Sequence, residues 1–283
     1  MRTLLTIVVL LAQTLPAIAA PPNLASYPWL ESAEGVSALE ERFRPPQGYE
    51  RTAAPPSSFG HWARGLPLEP GRPEVLLFDG RKKPNQTAQL AVLRIDVGTR
   101  DLQQCADAAI RLWAEYLWAM KRFDDICYYL TNGDLISWRR WERGERPAVR
   151  GNTITWARSA KADSTHGTFR RYLDFVFTYA GTASLEWRML ERVKEAEVQA
   201  GDFFIQGGFP GHAVLVVDVA KRGTDRAVML AQSYMPAQQI HILDNPSKPG
   251  TPWYELTSGA ELVTPEWSFA PGALKRLRPL RCQ

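Results

Sequence analysis

Metal and redox chemistry have little to draw on in this sequence. It holds four histidines and three cysteines in 283 residues, and none of them cluster at metal-ligand spacing. No metal and no cofactor is implied. The formal charge of +4 is not concentrated in any Lys/Arg tract, and no basic helix alternates with aromatics, so nucleic acid is not an expected partner. "GRKKP" at 80–84 reads as a solvated turn. Gly207, Gly208 and Gly211 lack phosphate-loop spacing and read as a tight turn. Beyond the first twenty residues no apolar run is long enough to cross a bilayer, and there is no internal repeat. What is present is ordinary: 45% hydrophobic and 23% charged residues form a globular composition. The length suits one large domain or two small ones, with a core that needs no metal or disulfide.

The N-terminus has its own pattern. Arg2 precedes the apolar stretch "LLTIVVLLAQTLPAIA", which ends in Ala17-Ile18-Ala19. That is the pattern of a secretory signal peptide, residues 1–19, cleaved after Ala19, and it predicts a periplasmic or secreted protein with no membrane span once the signal is removed. An odd number of cysteines in an exported chain leaves room for one disulfide and one free thiol. Cys127 lies in the apolar run "ICYYL", Cys282 next to the C-terminus and Cys105 in the polar setting "RDLQQCADA". Position and neighbours favour Cys105 as the thiol kept for chemistry. Cys127 and Cys282 are then the remaining pair, which requires Cα atoms within about 7 Å.

Residues 20–58 are rich in Pro, Ser and Ala and read as an extended arm over a single domain, 59–283. "VLLFDG" (75–80) and "AVLRIDVG" (91–98) predict a strand pair. "TRDLQQCADAAIRLWAEYLWAMKRF" (99–123) is the clearest helix, with Ala106, Ala109, Ile110, Trp113, Leu117 and Met120 spaced by three or four. Asp101 is its expected N-cap with Gln104 as capping-box partner, and Asp107 with Arg111 an outer-face pair. "DDICYYLTNGD" predicts a strand and turn, "THGTFRRYLDFVFTYAG" a helix, and "TASLEWRMLERVKEAEVQAGD" a second short one. Three apolar strands follow at 203–206, 212–219 and 227–234, joined by short turns. Helices around consecutive antiparallel strands make the expected fold α+β.

A thiol in the first turn of a helix meets unpaired N–H groups and the positive end of the dipole. That setting favours the nucleophilic thiolate and lowers its pKa, and the same N–H groups can hold an oxyanion. Acyl transfer also needs a base and a group to orient it. His61 lies near the arm and His166 opens a helix. His241 follows the last clear strand and is the alternative base. His212 begins a central strand, where a base is held rigidly. A hairpin turn centred on Arg222 or Gly223 pairs residues whose numbers sum to 444 or 446, which puts His212 opposite Gln232 or Tyr234. A one-residue slip would put Gln232 on the other face. The plainer readings are a core-facing cysteine and a hydrogen-bonded strand-end histidine. Trp138, Trp141 and Trp156 are candidates for a sugar- or peptide-binding groove.

"GDFFIQGGFPGHAVLVVDVA" followed by "VMLAQSY" resembles the Gly-His-strand-hairpin core of papain-like amidases of the CHAP and NlpC type. The resemblance implies a papain-like core in which a central antiparallel sheet packs against the helix carrying Cys105. It also implies Cys105 as nucleophile, His212 as base, Gln232 as its orienter, and Gln103 or Gln104 as oxyanion support. Gln104-Cys105-Ala106 stands where those families carry Asp-Cys-Ser/Gly. Over about residues 43 to 279 the chain more specifically resembles the bacterial family called domain of unknown function 4846, through "DVGTRDLQQCADA", "YAGTASL", "GDFFIQGGFPGHA", "LAQSYMPAQQIHIL" and "TPEW". Two functions stay open. One is an exported cysteine-dependent amidase or peptidase acting on a peptide or peptidoglycan-like substrate. The other is a non-catalytic cell-envelope binding protein on the same scaffold. An exposed Cys105 favours the first and a buried one the second.

Overall fold

The three apolar runs after Gly201 form the middle of one open antiparallel sheet. The computed structural model describes residues 24–282, and the expected signal peptide lies outside them. In chain order the nine strands are β1 (Glu50–Arg51), β2 (Gln89–Val92), β3 (Leu190–Arg192), β4 (Phe203–Gln206), β5 (His212–Arg222), β6 (Asp225–Gln232), β7 (His241–Leu243), β8 (Trp253–Leu256) and β9 (Leu274–Leu277). Their spatial order is β2-β7-β6-β5-β4-β9-β3, with β8 also on β6 and β1 on β5. Two long helices, α1 (Cys105–Ala119) and α2 (His166–Tyr179), stand with the sheet, so the fold is α+β.

Alternation along β5 and β6 sorts two cores. Ala213, Leu215, Ala220, Ala227, Met229 and Ala231 belong to the main cluster, together with Ala106, Ala109 and Ile110 of α1. Small side chains on that face let the helix approach closely. Val214, Val216, Val219, Val228 and Leu230 face the other way and pack with Phe204 and Phe269.

The hairpin register departs from the expected even sums. Pairs from Arg222↔Asp225 to Asp218↔Met229 sum to 447, an odd number that would turn Gln232 away from His212. A bulge between Val216 and Asp218 then resets the ladder to Val216↔Leu230 and Leu215↔Ala231, which sum to 446. An inserted residue reverses facing beyond it. The bulge therefore restores His212 and Gln232 to one face, with Gln232 two residues from the position opposite.

Several local expectations give way to tertiary contacts. Residues 75–80 form no strand. The backbone N–H groups of Val75 and Leu76 are taken by the side chains of Gln86 and Gln239 at 2.9 Å each, and β2 pairs with β7 instead. The segment after Gly181 makes a turn at Thr182–Ser184 and a wide π turn at Leu185–Met189. It then becomes β3, because pairing with β9 overrides its helix propensity. Asp101 does not cap α1. Gln104 is the N-cap and its N–H donates to Asp107 Oδ2 at 3.1 Å. Asp101 instead accepts from the Ala237 N–H at 2.7 Å, holding the loop before α1 against the 233–238 turn. Asp107 and Arg111 form no outer-face pair. Arg111 is fully buried and binds Glu115 (2.7 Å) and Asp96 (3.0 Å), because α2 covers that face through the His166–Glu115 contact at 2.9 Å.

Residues 24–58 contribute to the same core, with Tyr27 and Leu39 in its main cluster. Asp218 is buried with each carboxylate oxygen on an arginine, Arg51 of β1 at 2.6 Å and Arg64 at 2.8 Å. Cys127 and Cys282 are joined in a disulfide with Cα atoms 5.4 Å apart, which leaves Cys105 free.

Candidate active site

Cys105 is the first residue of α1. The backbone N–H groups of Ala213, Ala106 and Cys105 itself act on its sulfur and pull the thiol pKa down. Burial acts the other way and wins. The residue is 7% exposed, and desolvation, with the Asp107 carboxyl adding to it, pushes the thiol up to about 11. The expected lowering is corrected on magnitude: a helix terminus contributes about 0.3–1 kcal/mol, less than one pKa unit, whereas burial shifts a group by several units.

His212 opens β5, 1% exposed. Its ring packs among Tyr234 (4.9 Å between centroids), Trp267 (5.3 Å) and Phe269 (5.8 Å). Nε2 meets Gln232 Oε1 at 2.9 Å, which leaves Nδ1 for a second partner. Burial lowers the imidazole to about 4, the Lys83 charge adds to the lowering, and the Gln232 hydrogen bond opposes it. α1 brings Cys105 to the His212 end of β5 from one side of the sheet. The His212 ring lies on the other, with Val214, Phe204 and Phe269. Among the described residues the thiol and imidazole are not hydrogen-bonded to each other.

A cleft of about 300 Å³ opens over the first turn of α1, with Gln104, Cys105, Phe177, Thr182, Gly211 and Met235 in its wall. Phe209, 94% exposed, and Met235, 58% exposed, give it an apolar rim. Asp107 is buried in the wall with Oδ1 unpaired. Its carboxyl is held well above the usual range by desolvation.

The other expected site residues divide. Gln104 lines the cleft, its Nε2 on Asp101 Oδ1 at 3.0 Å. Gln103 is fully buried, its Oε1 accepts from Arg111 Nη1 at 3.2 Å, and its side chain is committed to the interior. His241 is fully buried and pushed down to about 3 by burial and then by the Lys83 charge. Its Nδ1 donates to the Gln239 carbonyl at 2.9 Å, and its Nε2 lies 3.4 Å from both Lys83 Nζ and Gln232 Nε2. Trp138 and Trp141 are core residues rather than groove residues, and Trp156 stacks under the Arg140 guanidinium.

Two residues of this region escaped the sequence reading. Lys83, expected in a solvated turn, is buried and paired with Glu266 at 2.5 Å. Glu266 also accepts from Gln232 Nε2 at 2.7 Å. Lys83 leaves only a charge next to proline in the sequence and Glu266 only its place in the stretch "TPEW", and neither marks a buried pair. Among the described residues no three or more His, Cys, Asp or Glu side chains group as a metal site, and no helix is long and apolar enough to cross a membrane.

Residues 39–276 match the family described as Domain of unknown function (4846), and the chain belongs to that family. No curated protein and no solved structure matches it.

Proposed function

We propose that this member of the domain of unknown function 4846 family is an exported cysteine-dependent hydrolase of the amidase or peptidase type, with a papain-like core and a cell-envelope peptide as substrate. The observation that carries the reading is the His212–Gln232 pair, 2.9 Å apart and buried, at the strand end whose Ala213 N–H acts on the Cys105 sulfur. A helix-start thiol, a strand-start imidazole and an amide that orients it are the parts acyl transfer requires.

In this mechanism His212 Nδ1 takes the thiol proton as sulfur attacks the substrate carbonyl. The N–H groups at the start of α1 and the Gln104 side chain receive the oxyanion. The proton passes to the departing amine, and water then releases the acyl group from sulfur. The resting pair is neutral, because the thiol is raised to about 11 and the imidazole lowered to about 4. Thiol and imidazole approach β5 from opposite faces of the sheet, so the transfer requires the His212 ring to turn toward the sulfur past the Gly211 end of the strand. The apolar rim at Phe209 and Met235 selects a substrate with an apolar group beside the scissile bond.

The buried thiol favours a second reading, a non-catalytic envelope binding protein that uses the same cleft. One assay separates them. The mature protein is incubated with purified peptidoglycan and with p-nitrophenyl acetate, following release of amine and of p-nitrophenolate. Loss of both releases in Cys105→Ser and in His212→Ala is the expected result. Wild-type release that survives Cys105→Ser, or no release at all, leaves the binding reading.

A further inference from the structure

Behind His212 and its orienting Gln232 lies a polar group, Lys83, Glu266 and His241, that the catalytic scheme does not use. Gln232 stands between His212 and Glu266, Glu266 is paired with Lys83, and His241 closes the group. His212, Gln232, Lys83 and His241 are all buried. Buried polar groups at these distances must match donor to acceptor, and one assignment satisfies every contact.

An ionised carboxylate only accepts, so the group at 2.7 Å from Glu266 Oε2 must be the Gln232 NH₂. The amide oxygen of Gln232 is thereby committed to His212. An oxygen only accepts, so His212 Nε2 must carry the proton. Nδ1 is then the bare nitrogen. His241 agrees with this order. Its Nε2 faces two donors, Lys83 and Gln232, at 3.4 Å and is therefore the bare nitrogen, its one lone pair shared between them, while its Nδ1–H goes to the Gln239 carbonyl. Asn85 Nδ2 donates to the other Glu266 oxygen at 3.2 Å, and Lys83 balances the charge.

We propose that Glu266 is a positioning residue: its carboxylate locks the Gln232 amide in one orientation, and the amide in turn holds His212 as the Nε2–H tautomer with Nδ1 free to act as the base. This deepens the hydrolase reading, since the free nitrogen is the one that reading needs. The tautomer itself does not depend on turnover. Without the carboxylate, the Gln232 amide can turn over, present NH₂ to His212 and stabilise the Nδ1–H tautomer, in which the base is blocked. A tautomer set wrongly by its neighbour disables an imidazole base while leaving its position intact.

The test uses the full chain labelled with ¹⁵N-histidine and reads the two ring nitrogens of His212 by NMR at neutral pH. Wild type is expected to show a protonated Nε2 and a bare Nδ1. Glu266→Gln alone keeps an acceptor oxygen for the Gln232 amide and strands the Lys83 ammonium in the interior, so the decisive variant is Lys83→Met with Glu266→Leu, which removes the acceptor and its counter-charge together. In that double variant the two distinct nitrogen signals are expected to average, and where turnover is measurable kcat falls about tenfold or more with KM little changed. A merely structural Glu266 predicts unchanged nitrogens in the folded double variant. That result overturns the proposal, as does a wild-type His212 protonated on Nδ1. Absence of hydrolysis with the expected tautomer bears on the function alone.

Discussion

Two imidazoles buried in a neutral state should make this protein sensitive to mild acid. His212 is lowered from 6.5 to about 4 and His241 from 6.5 to about 3, in both cases mainly by burial. In the unfolded chain both bind a proton near the ordinary value, while in the folded chain neither does until the pH is far lower. The sign follows: the unfolded state takes up more protons between these values, so stability is complete above pH 6.5 and is lost as pH falls toward the folded values. At about pH 4.5 each ring has been penalised over about two units, or about 2.7 kcal/mol, and the two together about 5 kcal/mol. That is comparable to the whole stability of many domains. Asp107 works against the trend, because a carboxyl held above its usual range regains stability as it protonates. The clean quantity is therefore a difference in slope. Urea unfolding from about pH 7 to about 4.5 should give His241→Asn a stability–pH slope smaller than wild type by about 1.4 kcal/mol per unit, one proton's worth. Equal slopes, or ring signals from both buried histidines titrating near 6.5 by NMR, would refute the reasoning.

Two further outcomes follow from the same geometry. Cys105, raised to about 11 and enclosed, should react with iodoacetamide far more slowly at neutral pH than the thiol of free cysteine, and its rate should still be climbing above pH 9, about half a unit past the ordinary cysteine pKa; a plateau near neutrality would show a thiolate stabilised by the helix start after all. The Cys127–Cys282 disulfide spans 155 residues of chain, for which loop-closure entropy gives about 5 kcal/mol. Cys127→Ser with Cys282→Ser should lower the urea-unfolding free energy by most of that, and a loss under about 1 kcal/mol would contradict the entropic account.

Much of the framework could be read along the chain. The three strands expected at 203–206, 212–219 and 227–234 were legible because consecutive residues carry their apolar pattern, with the last two running instead over His212–Arg222 and Asp225–Gln232, and the helix carrying Cys105 was legible from spacing by three and four. Cys105 near a helix start and His212 at a strand start were legible for the same reason. The cap of α1 was not, because Asp101 followed three residues later by Gln104 reads as a capping box, whereas the Ala237 N–H, 136 residues away, claims Asp101 and the helix starts after Gln104. The face shared by His212 and Gln232 was expected, but through an even register that the turn does not have. The bulge near Val217 restores it, and nothing in "LVVDVA" marks a bulge, since no glycine or proline stands there.

The sequence by itself determined the central elements: the three strands after Gly201 and the two long helices, which thiol stands at a helix start, which histidine at a strand start. Those are local matters, decided by the period of neighbouring side chains. Tertiary structure alone decided the chemistry of the site. It buried Cys105 and raised its thiol, buried His212 and lowered its imidazole, and set Lys83 and Glu266, 183 residues apart, behind Gln232. Desolvation and donor–acceptor matching are sums over every segment that excludes water from a point. No stretch of sequence contains that sum until the segments are packed together.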